Sequence, residues 1–252
     1  MSAETEDERF ERLSRDRIVR PLPKRFYKAV SVTDKLEIAL DGRIVKTPLK
    51  VPLILPSAAL ASAVAAEWDA QVEYINPGAM PLTKLANTAI DRATHERPAI
   101  TAEILGFAGS DMVCYRADKP QSLVLLQSKH WDPVIAWMQS HLNAEMLVVD
   151  SIRHVTQSAD AMTNIQNKIE SLDGFTLTAA HNLTTLTGSA LLALMLAAGG
   201  LHPDQGWLAA NVDEDWQIAT WGKDNEADVR RAGRLREFLA CMDFVRLAAH
   251  RP

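Results

Sequence analysis

The chain changes its period once, at Ser57, and that change restricts the fold more than any other feature. Upstream, "RFYKAVSVTDKLEIALDGRIVKTPLKVPLILP" alternates short β-branched runs with turn signals at Thr33-Asp34, Asp41-Gly42, Pro48, Pro52 and Pro56. Asp41-Gly42, set between Ile38-Ala39-Leu40 and Ile44-Val45, is a hairpin signal, since both residues tolerate the positive φ of a two-residue turn. Three or four short antiparallel strands are expected. Pro48 and Pro52 confine the last to a sheet edge, because proline has no N–H to give to a ladder. Downstream, "SAALASAVAAEWDAQ" has neither glycine nor proline, and Ser57 stands ready as its N-cap. Leu60, Val64, Glu67 and Gln71 share one stripe of that helix. Glu67 and Gln71 are expected to hydrogen-bond from the stripe into the rest of the chain.

The remainder is written at helical period almost throughout. Helices are expected over 82–95, 98–109, 121–142, 159–172, 176–186, 189–198, 203–221 and 225–249, with Pro98 and Pro203 in first turns and Gly174, Gly188, Gly199-Gly200 and Gly222 at helix ends. The fold class is therefore α+β: a small N-terminal antiparallel sheet with a packed helix, then a mostly α-helical orthogonal-bundle domain. The boundaries are a charged, flexible lead-in at 1–20, a small α+β domain at 21–80 and a helical domain at 81–252. "MLVVD", Met146 to Asp150, could return to the N-terminal sheet as a strand.

Several classes of function fit poorly. Net charge is −5 and the pI about 5.8, which disfavours nucleic acid and anionic membranes as partners. The longest apolar run, Ala190 to Ala198, is too short for a bilayer, which needs about 20 residues, and reads as a buried core helix. "MSAETEDERFERLSRDR" has no apolar stretch and many acids, unlike a signal or transit peptide, so a bacterial cytoplasmic location, or else a mature form, is expected. Cys114 and Cys241 are far apart and form no CxxC, which argues for a reducing compartment. No GxxxxGK[ST], GxGxxG or GxSxG occurs, and the seven histidines show no i, i+4 pair, so neither cofactor nor metal is expected.

One stretch has the look of a site: "NVDEDWQIATWGKD", Asn211 to Asp224. On one continuous helix Trp207, Glu214, Ile218 and Trp221 fall within about 60° of each other, with Gln217 flanking and Asp213 and Asp215 diverging. Glu214 is then a carboxylate on an aromatic stripe. Three readings stand. It is a core acid paired with Arg230, Arg231 or Arg234. It is a general acid or base, with Asp213 or Asp111 as the other enzyme candidates. Or the stripe lines a docking groove, tryptophan anchors around a desolvated charge being a common hot-spot arrangement. Partner docking could also fall on "MPLTKLANTAID" or on the edge near Pro48–Pro52. Trp68, Trp131 and Trp137 read as core, Asp91-Arg92 as a local ion pair, and Arg230–Arg236 as a solvated helix face.

Further motifs occur in order: "RFYKAVSV", "LDGRIVKTP", "LASAVAAEWDAQ", "MPLTKLANTAIDR", "HWDPVIAW", "GSALLALML" and "VDEDWQIATWGKDNEA". Together, from Arg25 to about Phe244, they resemble the ATP synthase assembly factor two family, chaperones of the F-type ATP synthase alpha subunit. The resemblance implies a small α+β part followed by a helical part, no enzymatic activity and no cofactor. It implies a protein, monomeric when free, that holds the new alpha subunit until the beta subunit takes over that surface. It also places the family's functionally weighted acid at Glu214. The expected client-binding set is Trp207, Asp213, Glu214, Gln217, Ile218, Trp221 and Asp224.

Overall fold

A computed structural model describes residues 21–93, 95–151, 153–222 and 224–249, so the expected lead-in at 1–20 lies outside the described residues. Three short strands, β1 (Val30–Val32), β2 (Ile38–Leu40) and β3 (Arg43–Ile44), form an antiparallel sheet in that order. The Asp41-Gly42 hairpin is present: Leu40 pairs with Arg43, and the two turn residues have φ of 48° and 78°. Those values match the primed turn whose twist suits a strand pair. The Asp41 carboxylate also receives the Ala29 and Lys28 N–H groups, which hold its carboxyl below the usual carboxylate range. The proline-bearing segment lies along the sheet's margin, where Pro52 bridges to Lys46 and Leu53 N–H donates to Val45.

Helix α1 (Ala58–Asp69) is capped by Ser57, whose hydroxyl oxygen accepts from Leu60 N–H at 3.1 Å. The same hydroxyl donates to the Leu247 carbonyl at 2.6 Å, tying the start of the helical region to its end. The helices α2 (Pro81–Asp91), α3 (Arg97–Gly109), α4 (Gln121–Leu142), α5 (Ala159–Glu170) and α6 (Gly174–Thr187) follow. Then come α7 (Ala190–Ala197), α8 (Pro203–Ala210), α9 (Val212–Trp221) and α10 (Asn225–Ala248). The α+β class expected from the period change is the one observed. Helix α7 lies at the centre, with every residue from Ala190 to Leu196 buried. Apolar all round, it needs neighbours on all sides, and α3, α4, α6 and α8 provide them. Ile38 of β2 and Leu60 of α1 belong to the same buried cluster as α7.

Glu67 makes the joint between α1 and α2. Its carboxylate receives Leu82 N–H, Thr83 N–H and the Thr83 hydroxyl, each at 2.7 Å. It thus serves as a long-range cap for two first-turn donors that have no partner within the helix. Burial lifts its carboxyl above the ordinary range even though those bonds pull the other way. Gln71 completes the joint, accepting from Asn76 N–H and donating to the Glu67 carbonyl. Glu67→Ala should cost about 2 kcal/mol in urea unfolding, since it strands three part-buried donors. Glu67→Gln should cost about half as much.

Three sequence expectations need correction. Met146–Asp150 does not return to the sheet: Val149 pairs in parallel with Tyr115, exchanging main-chain bonds with Cys114 and Arg116. Asp91 and Arg92 are not an ion pair. Asp91 is buried and accepts from the Thr47 hydroxyl and Leu49 N–H, while Arg92 turns out to Glu96 one helical turn on. The expected helix 203–221 is two helices, broken at Asn211. Of the three tryptophans read as core, Trp131 and Trp137 are buried and Trp68 is half-buried.

Candidate functional site

The break at Asn211 builds the site. Its backbone leaves helical geometry at φ −122°, ψ 21°. Its side chain bridges the gap, donating to the Trp207 carbonyl at 2.8 Å and accepting from Arg234 Nη2 at 3.0 Å. Helix α9 therefore starts on a new axis, and its wheel no longer continues that of α8. The single-helix wheel that set Glu214 between Trp207 and Trp221 therefore does not apply across Asn211.

Glu214 faces α10 instead. One oxygen takes Arg234 Nη2 at 2.6 Å, and the other lies 3.8 Å from Arg231 Nη1. Asp215 takes the second branch of Arg231 at 2.5 Å. Both guanidinium groups stand over the Trp207 ring, 5.8 and 6.0 Å from its centre, and Trp207 packs on buried Phe238. Two of the arginines expected on a solvated face are thus drawn into a braced corner between α8, α9 and α10. The Glu214 side chain keeps a third of its surface exposed. An exposed pair of this kind contributes little, so a double-mutant cycle on Glu214→Gln and Arg234→Gln should give a coupling under about 1 kcal/mol.

The other expected site residues are spread around this corner. Trp221 is 72 % exposed and meets Trp216 edge-on, with ring centres 5.5 Å apart. Trp216 is anchored in turn by its indole N–H, which donates to Ser122. Gln217 is exposed and Ile218 half-buried. Asp213 accepts from Gln127 Nε2 at 2.8 Å, so it faces α4, away from Glu214. Asp224 caps α10 by accepting from Glu226 and Ala227 N–H groups. Sequence reasoning did not include Val229, which is 73 % exposed on the first turns of α10, just past the turn from Trp221. Its signal was available: a lone β-branched residue among the charges of "NEADVRRAGR".

The remaining acid candidate, Asp111, and both cysteines are internal. Asp111 is 1 % exposed, and its two oxygens take Val113 and Leu191 N–H groups. Burial pushes both cysteine thiols up to about 12, far from thiolate chemistry at neutral pH. Among the described residues no cluster of three or more His, Cys, Asp or Glu could hold a metal, and no helix is long and apolar enough to cross a membrane.

Residues 24–139 match the family described as ATP12 chaperone protein. The chain is 24% identical over 229 residues to the mitochondrial protein atp12 of Schizosaccharomyces pombe, covering 82% of this chain and 78% of that one. The crystal structure of Atp12 from Paracoccus denitrificans superposes with a TM-score of 0.83 at 36% identity, over 90% of this chain and 98% of its own. The Atu1473 protein of Agrobacterium tumefaciens gives a TM-score of 0.83 at 42% identity, over 90% of this chain and 86% of its own. Sequence and fold thus agree over nearly the whole length, and the chain belongs to the ATP12 chaperone family, the assembly factors of ATP synthase.

Proposed function

We propose that this chain holds the unassembled alpha subunit of F-type ATP synthase, releases it to the beta subunit, and grips it at the α9–α10 corner. The observation that carries the choice of surface is Trp221. A tryptophan 72 % exposed contributes little to its own core, yet Trp216 and the Asn211 bridge hold its helix in place, and Asp224 caps the helix that follows. Large rigid aromatics presented on a braced frame are what interface hot spots are made of. Val229, also exposed, follows on the first turns of α10.

In this reading Trp221, Gln217, Asp213 and Glu214 meet the client. Trp207, Ile218 and Asp224 set the geometry of α9 beneath them. Glu214 exchanges part of its contact with Arg234 for a client cation or N–H group, which its exposed third permits. Release follows competition: the chain has no phosphate-binding loop, and a partner that binds the same client surface more tightly displaces it. The client, before assembly, exposes apolar surface and strand edges that invite aggregation, and covering them is the service rendered.

The test is titration of recombinant alpha subunit onto wild type, Trp221→Ala and Glu214→Gln, with a thermal melt of each. We expect both variants to melt within about 2 °C of wild type. Trp221→Ala should bind at least about tenfold more weakly, equivalent to about 1.4 kcal/mol or more. Added beta subunit should free the wild-type chaperone. Undiminished binding by both variants would remove this corner from the interface; a wild type that ignores the alpha subunit would remove the function.

A further inference from the structure

A second face of the molecule is shaped for a partner. Residues 23–25 and 73–75 form a two-stranded ribbon: Lys24 bridges Tyr74 in antiparallel fashion, Arg25 N–H donates to Glu73 and Ile75 N–H to Pro23. Side chains alternate along a strand. On the inner side Tyr27 and Ile75 are buried against Leu40 and Met80. The alternate positions, Leu22, Phe26, Val72 and Tyr74, point away from that core, and all four are exposed. Phe26 is 74 % and Val72 86 % exposed. An alternating ribbon normally turns its polar set outward; here Lys24 is the one charge in an outer set that otherwise holds Leu22, Phe26, Val72 and Tyr74.

This outer face runs into a cavity of about 540 Å³. Phe26 stands on both, and Leu40, Ile44 and Trp68 help to wall the cavity, with Arg43 and Lys46 among its lining. Neither cation has an ion pair or a side-chain hydrogen bond with the described residues. The one acid in the lining, Asp41, is already occupied by the Lys28 and Ala29 N–H groups. Trp68 carries a buried indole N–H with no acceptor, and buried donors are nearly always paired. The charge of the region points the same way: residues 21–56 hold seven Lys and Arg against three Asp and Glu, in a chain whose net charge is −5.

We propose that this ribbon and cavity form a second client-docking surface. Its occupant is an extended, apolar stretch of the held polypeptide that carries a carboxylate. Apolar client side chains cover Phe26, Val72 and Tyr74, and the carboxylate enters toward Arg43 and Lys46. The inference rests on the reading that the chain holds an unassembled subunit. It adds a grip on the N-terminal sheet, independent of the α9–α10 corner. Two grips joined by one rigid body raise avidity without a tighter contact at either.

Two variants test it against recombinant alpha subunit: Phe26→Ser with Val72→Lys, and Arg43→Glu with Lys46→Glu. All four positions are exposed, so unchanged melting is expected of both. The ribbon variant should lose at least about tenfold in affinity, a fold-change typical of removing a central apolar contact. The charge reversal should also weaken binding, by a factor that shrinks as salt rises from about 0.05 to 0.5 M. If wild type binds and both variants bind within about twofold of it, the second surface is wrong while the functional reading stands. If wild type does not bind, both fall. If wild type dimerises and the ribbon variant is monomeric, the face serves self-association and the proposal is overturned.

Discussion

Trp131→Ala is expected to cost about 4 kcal/mol of unfolding free energy, the largest loss at any single residue near the site. Trp131 is 2 % exposed on α4, so truncation leaves a cavity that the helices cannot fully close. Its indole N–H donates to the Ala209 carbonyl at 2.8 Å, and the Arg116 guanidinium stands 5.3 Å from its ring centre. Ala209 lies in the last turn of α8, where helix carbonyls lack partners of their own. The same side chain therefore fills the core and fixes where α8 ends and α9 begins. Trp131→Phe separates the two roles: it keeps most of the apolar bulk, orphans the Ala209 carbonyl, and should cost about 1–2 kcal/mol. Urea unfolding with unchanged slope measures both. A loss below about 1 kcal/mol for the alanine variant would mean the site's frame does not depend on this contact.

The parts of this fold legible in the sequence were those decided locally. Ser57 caps because the free N–H of Leu60, three residues on, falls within reach of its hydroxyl, and Asp41-Gly42 turns because both residues accept positive φ. Helix α7 is buried because its residues leave no polar face to expose. What failed was decided at a distance. Asn211 looks like an ordinary mid-helix residue, with neither glycine nor proline beside it; the break depends on Arg234, 23 positions on. Asp91 seemed to belong to Arg92 until Thr47, 44 residues upstream, took its carboxylate. Val149 had no local partner to predict, and found Tyr115. The candidate site shows both cases. Arg231 and Arg234 were recognisable as partners of a Glu214 on the neighbouring helix. The wheel that groups Trp207 with Trp221 assumes one continuous rod, and the break at Asn211 removes that assumption.

The second large effect is one of pH, and it comes from Asp111. Its buried carboxyl is lifted to about 6, mainly by loss of water, against the pull of the Leu191 N–H, the Ser189 hydroxyl, and the Val113 and Ala190 N–H groups. In the unfolded chain the same group titrates near 3.8. The folded protein therefore binds this proton more tightly than the unfolded one. The resulting stabilisation is complete below the unfolded value, shrinks as pH rises between the two, and is gone above about 6. The full span corresponds to about 3 kcal/mol, of which about 2 should be visible between pH 7 and pH 4.5. Other carboxylates titrate in the same range, so the quantity to follow is the difference between wild type and Asp111→Asn. The variant keeps one acceptor oxygen, loses the second, and has no proton to gain. It should unfold more easily than wild type at pH 4.5, and the gap should narrow as the solution is brought to pH 7. A gap that stays constant, or widens with rising pH, would show that these hydrogen bonds outweigh burial and that the carboxylate is content to be charged where it lies.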